Sequence, residues 1–175
     1  MKNIIKPFLI MIIFTFLGIS FVNAQELPAA QKDLQRFVGN WVCKNISMTI
    51  GDKTYGGEYS FNCKSAIDGK GIYAEESYEN ADLGKMHGLD MAGYDPNLKN
   101  IQWYTIDNQG TCHDHIGYWT DKDHFYMQYQ GIADGTAFVE KLYFNFLSDN
   151  KMEFKMIGEN NGVVSEKSSG EFVKK

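Results

Sequence analysis

Cys112-His113-Asp114-His115 places a thiol, two imidazoles and a carboxylate in four consecutive positions. Histidines two apart share one face of a strand, and imidazole suits zinc and copper alike. A metal there needs a third ligand, for which His124 in the following segment is a candidate. Four carboxylates, Glu76, Asp90, Asp114 and Glu140, lie in segments otherwise rich in aromatic and aliphatic residues. Two carboxyls in unequal surroundings can divide acid and base roles, the chemistry of glycoside hydrolysis and of isomerisation. The same groups can instead hydrogen-bond a polar or cationic part of a bound molecule. Cys43, Cys63 and Cys112 offer a disulfide or a thiol nucleophile. No phosphate loop, nucleophile elbow or zinc-protease helix is present. Which of these residues can act together depends on the elements that carry them.

Residues 1–24 read as a cleavable signal peptide. Lys2 and Lys6 precede an apolar run from Phe8 to Val22, and Val22-Asn23-Ala24 has the small-residue pattern of a cleavage site after Ala24. The run is short for a membrane span, so no integral membrane segment is expected after cleavage. A secreted or periplasmic protein of one domain, residues 25–175, follows from this reading. Loss of Lys2 and Lys6 moves the net charge from −5 to −7. That excess argues against nucleic acid as a partner, which wants a basic patch. The aromatic content excludes a disordered chain.

Pro28–Val38 predicts one short helix, with Leu34, Phe37 and Val38 on a common face and Gly39 as its stop. Beyond Asn40 the helical period disappears. Nine turn signals, from Gly51-Asp52-Lys53 to Asn160-Asn161-Gly162, separate ten segments rich in Tyr, Phe, Val, Ile, Thr and Trp. Connections this short join antiparallel neighbours and leave no room for crossover helices. Ten such strands left open would expose an aggregation-prone edge, so an all-β, closed, up-and-down antiparallel barrel is expected.

Register follows from the turns, because side chains alternate and hairpin partners face one another. The Asp68-Gly69 turn pairs Cys63 with Ala74, Phe61 with Glu76, and Tyr59 with Tyr78. The Asp95–Asn100 loop sets Ala92 beside Trp103 and Asp90 beside Thr105. The Asn108-Gln109 turn sets Trp103 opposite Asp114 and Thr105 opposite Cys112; the Asp121-Lys122 turn sets Trp119 opposite His124. The Asp134-Gly135 turn sets Tyr129 opposite Glu140. The apolar face, with Phe61, Trp103, Ile116, Tyr118, Phe125 and Met127, is then the interior. Glu76, Asp90, Asp114, Cys112 and Glu140 share it, while His113, His115 and His87 point outward. On that register His113 and His115 are surface residues, no metal site is expected, and haem lacks an inward axial ligand. A bend at Gly51–Tyr55 allows Cys43 to fall opposite Cys63, and an oxidising compartment then favours a cross-strand disulfide.

The order of short motifs resembles a known family. Leu34-Gln35-Arg36-Phe37-Val38-Gly39-Asn40-Trp41 looks like the helix-Gly-x-Trp entry of lipocalin-like barrels. Gly93-Tyr94-Asp95-Pro96, Trp103-Tyr104-Thr105-Ile106-Asp107, the Gly110 turn and Gly117-Tyr118-Trp119 follow in the order of family 1579 among the domains of unknown function. The resemblance spans Leu34 to Phe172 and implies a ten-stranded, calycin-like barrel. It implies no established activity and supplies no catalytic residues. A more distant similarity runs to fatty-acid-binding proteins and to the haem-binding nitrobindins, whose Gly-x-Trp-x-Gly-x-Gly motif is broken here at Val42-Cys43-Lys44.

Together these readings predict a barrel that binds a small, largely apolar ligand, without a cofactor, as a monomer or homodimer. Glu76, Asp90, Asp114 and Glu140 would meet the ligand's polar end, and Trp103, Phe125 and Tyr129 its apolar body. Hydrolysis or isomerisation by paired interior carboxylates is the enzymatic alternative. A metal-binding or structural module without a cavity ligand is the third.

Overall fold

The computed structural model describes residues 29–133 and 135–175. The expected signal peptide, its expected cleavage site and Pro28 lie outside the described residues. The chain runs α1 (Ala29–Leu34), a 3-10 turn (Gln35–Phe37), then β1 (Gly39–Ile50), β2 (Lys53–Ala66), β3 (Gly71–Asn80), β4 (Gly84–Asp95) and β5 (Asn100–Asp107). It continues with β6 (Cys112–Trp119), β7 (His124–Ala133), β8 (Thr136–Ser148), β9 (Lys151–Asn160) and β10 (Val163–Lys174). Each strand pairs antiparallel with its sequence neighbour, and β1 pairs with β10, closing the barrel as expected. No helix among the described residues is long and apolar enough to cross a membrane.

α1 and the 3-10 turn plug the end of the barrel that carries the β2–β3 and β6–β7 turns. Gln35 donates to the carbonyls of Gly69 and Gly71. Arg36 reaches Lys122 and Asp123 and lies 4.4 Å above the Phe146 ring. Phe37 is fully buried beneath this turn and meets Trp103, Phe125, Phe144 and Phe146 edge-on at 5.0–5.5 Å. Trp41 donates from its indole to the Phe37 carbonyl at 2.7 Å, tying the plug to β1. This is a dry aromatic floor. The opposite end, with the β1–β2, β3–β4 and β5–β6 turns, is not plugged, and residues of those turns edge an interior cavity.

The expected inner face is in place on β2–β5 and β7–β9. β6 is the exception, and the connections at both of its ends differ from those expected. Ile106 pairs with Cys112, and Asp107 closes on Thr111, so Asn108-Gln109-Gly110 is a three-residue loop. Asp107 Oδ1 accepts from the Gln109 and Thr111 amides, and Gly110 takes the left-handed φ of +96° that such a loop needs. At the other end of β6, Thr120 closes on His124 and Trp119 pairs with Phe125, again one residue longer than expected. A shift of one residue turns every side chain over. β6 is therefore inverted: His113, His115 and Gly117 face inward, and Cys112, Asp114, Ile116 and Tyr118 face out. The two shifts cancel beyond β6, so Phe125 and Met127 on β7 are buried as expected.

The expected disulfide does not form. A two-residue turn at Gly51-Asp52 joins Ile50 to Lys53, and a bulge between Cys43 and Ile46 then sets Cys43 opposite Tyr59, while Cys63 lies opposite Gly39. Both thiols are buried and free.

Candidate functional site

The cavity occupies the unplugged half of the barrel and has a volume of about 490 Å³. Five methionines line it, Met48, Met86, Met127, Met152 and Met156, together with Phe61, Leu142, Phe154 and Phe172. Unbranched methionines give a wall that can adapt to an apolar guest. Set into this wall are Glu76, Asp90, Asp107, Glu140 and Glu166 with His113 and His115; no lysine or arginine is among the lining residues.

Each polar side chain is placed by its strand. His113 is the second residue of β6 and His115 lies two further in, on the same face. Glu140, the fifth residue of β8, reaches across β7 to both. Its Oε2 is 3.1 Å from His113 Nδ1 and 2.8 Å from His115 Nε2. Tyr129 on β7 stacks flat on the His113 ring at 3.8 Å and fixes its plane. Burial would push the Glu140 carboxyl up, but the hydrogen bonds and charges of the two histidines overcome it and hold the group at about 2. Glu166 on β10 arrives beside Glu140 because Gly158, which pairs with Glu140, has no Cβ; one there would collide with the Glu166 side chain. Burial, then the charge of Glu140, raises the Glu166 carboxyl.

A second pair of acids faces this group from β3 and β4. Asp90 is buried, and its Oδ1 accepts from Trp103 Nε1 at 2.8 Å and from the Thr105 hydroxyl at 2.6 Å. Burial raises the Asp90 carboxyl in spite of these two donors. Glu76 accepts from the Tyr59 hydroxyl. Its carboxyl is pushed up to about 8, first by burial and then by the negative charge of Asp90. The Tyr59 hydroxyl is driven well above its ordinary range by burial and by Glu76.

Four buried side-chain polar atoms among the described residues lack a hydrogen-bond partner, and three belong to residues of the cavity wall: Asp90 Oδ2, His115 Nδ1 and Ser168 Oγ. Buried polar atoms are nearly always paired, and an orphan costs about 1–3 kcal/mol. Their presence around the cavity, on β4, β6 and β10, sets this half of the barrel apart from the floor.

Among the residues expected to meet a ligand, Glu76, Asp90, Trp103 and Glu140 line the cavity. Phe125 lies in the floor against Phe37 and Trp119. Tyr129 acts through the His113 ring rather than on the cavity surface. Asp114 is exposed on the outer face, so a carboxylate pair of Asp90 and Asp114 does not exist. Cys112 is also outside, its Sγ 2.7 Å from the Tyr104 hydroxyl. His124 is exposed and paired with Asp121. Glu140, and not His124, stands beside the two histidines. His87 is exposed, as expected.

No protein-family model matches the chain, and no curated protein matches it. Among solved structures it is similar to the S-type phycobiliprotein lyase CPES from Guillardia theta, at 12% identity over 81% of this chain and 90% of that one, with a TM-score of 0.56. The likeness shows the fold, a lipocalin-like (calycin) barrel, and nothing finer.

Proposed function

We propose that this barrel binds a small molecule with an apolar body and a cationic or hydrogen-bond-donating end. The carrying observation is the set of orphaned polar atoms, Asp90 Oδ2, His115 Nδ1 and Ser168 Oγ, in residues that line a cavity with a methionine and phenylalanine wall. A ligand that supplies partners to such atoms gains the hydrogen bonds and relieves the cost of leaving them unmade. Two of the three orphans, Asp90 Oδ2 and Ser168 Oγ, can accept from a donor. Five carboxyls and no lysine or arginine among the lining residues favour a cationic or hydrogen-bond-donating guest over a carboxylate. The volume of about 490 Å³ suits one small molecule and excludes a folded partner. The methionine and phenylalanine wall would take the body, with the polar end toward β6 and β8. The mechanism is sequestration or delivery. The Lys2/Lys6-flanked apolar run at the N-terminus supports a secreted or periplasmic setting for it.

Calorimetric titration of the metal-free chain with dodecylamine and with dodecanoate tests the reading. One amine per chain is expected, bound at least about tenfold tighter than the carboxylate, a difference of roughly 1.4 kcal/mol. Equal binding, a preference for the carboxylate, or no binding of either would defeat it.

A further inference from the structure

We infer that His113 Nδ1, His115 Nε2 and Glu140 Oε2 form the protein's half of a binding site for one divalent first-row transition-metal ion. The three atoms lie within 4.8 Å of one another. Both histidine nitrogens converge on the same carboxylate oxygen, at 3.1 and 2.8 Å. An ion held about 2.1 Å from each of two ligands sets those ligands roughly 3.0 Å apart at a right angle and roughly 3.4 Å apart at the tetrahedral angle, a few tenths of an ångström beyond the spacing here. The spacing already present is therefore close to that of a coordination edge. Two imidazoles and one carboxylate are a donor set for zinc or ferrous iron, and three protein ligands leave coordination positions open. Those positions face the cavity, because all three residues line it.

Two further observations favour a site over a structural ion pair. The first is the orphaned Nδ1 of His115, whose side chain is only 3% exposed. A neutral His115 that donates from Nε2 to Glu140 carries a bare lone pair on Nδ1. With Nε2 bound to a metal, the proton moves to Nδ1 and that atom becomes a donor. The orphaned Asp90 Oδ2 belongs to a residue that lines the same cavity. A donor on Nδ1 and a carboxylate acceptor in the same cavity are the kinds of group that carboxylate–histidine–metal arrangements use. The second is rigidity. His113 and His115 stand on β6 and Glu140 on β8, all three within the sheet, and Tyr129 clamps the His113 ring. No lysine or arginine among the lining residues opposes a cation at the position.

This inference goes beyond the small-molecule reading and does not rest on it. Zinc uptake can succeed where dodecylamine fails, and the reverse.

The test is titration of the full chain, stripped with EDTA, with Zn²⁺ alone. Uptake of one ion per chain is expected. His113→Ala and Glu140→Gln should each weaken it by at least about tenfold, and His124→Ala, at the exposed Asp121 pair, should leave it unchanged. Histidine-ring ¹⁵N shifts of the unaltered chain give a readout that no variant's folding can confuse. Zn²⁺ should move Nδ1 of one histidine and Nε2 of another, leaving the other two rings in place. Absence of one-to-one uptake, uptake insensitive to both ligand variants, or uptake abolished by His124→Ala would overturn the site.

Discussion

The two ends of the barrel use the same strands for opposite purposes. At the plugged end Phe37 sits among five rings, and Arg36 and Lys174 lie over the faces of Phe146 and Trp41. At the other end the inward positions of β3, β4, β6, β8 and β10 carry acids and histidines around a cavity. Apolar contact is non-directional and adds up, so the floor can hold the strands together. Buried carboxyls are costly unless partnered, so the cavity half works against folding at Asp90, Glu76 and Glu166. Local conflict of this kind is expected where a protein keeps function at the expense of stability.

The contrast can be broken most forcefully at the floor. Phe37→Ala removes the central ring and leaves its neighbours without contact on one side. Unfolding free energy should fall by about 3–5 kcal/mol, read by denaturant titration. Dodecylamine binding should survive at temperatures where the variant is folded, because Phe37 does not line the cavity. Loss of binding with little loss of stability would reverse the assignment of the two ends.

A smaller effect is expected from the cavity acids. The Glu76 carboxyl, ordinarily near 4.5, stands at about 8 in the fold. The folded chain keeps this proton where the unfolded chain has lost it. The contribution to stability is complete below pH 4.5 and is lost as pH rises to 8, at about 1.4 kcal/mol per pH unit for one proton. Glu76→Gln should remove that part of the slope and leave the metal-free variant more stable than the parent above pH 8. Thermal unfolding at intervals from pH 4 to 9 checks it; parallel curves for the two proteins would show that Glu76 is ionised and paired.

The smallest effect concerns the thiols. Burial, then the charge of Asp90, pushes the Cys63 thiol up to about 12, and burial also raises Cys43, whereas Cys112 is exposed. Thiolate is the reactive form. One thiol should alkylate in the native protein at pH 8 and two more only after unfolding, with no change in melting temperature on adding reductant. Two protected thiols that appear only after reduction would restore the disulfide.

Strand number, closure and the inner face of β2–β5 and β7 were legible in the sequence because turn residues punctuate it and alternation is strict. β6 was not. Asp107 and Asp121 each cap a loop one residue longer than the two-residue form assumed, and each added residue turned β6 over. The signal was present in Gly110, which a three-residue loop places in the left-handed region. Because the two shifts cancel, β7 gave no warning. The price was the site itself: Asp114 was placed inside and His113 and His115 outside. Glu140 was read correctly as inward, but its meeting with two histidines across β7 depends on that single face. Cys43 failed for a related reason, since no local pattern marks the bulge between Cys43 and Ile46.

A crystal structure of the metal-free chain with dodecylamine tests the division of the barrel most directly. The amine nitrogen is expected within hydrogen-bond distance of a carboxylate of the Glu76, Asp90 and Glu140 group, with the alkyl chain against Met127 and Met152 above the Phe37 floor. An amine bound on the outer face of the sheet, or inserted with its nitrogen toward the floor, would contradict it.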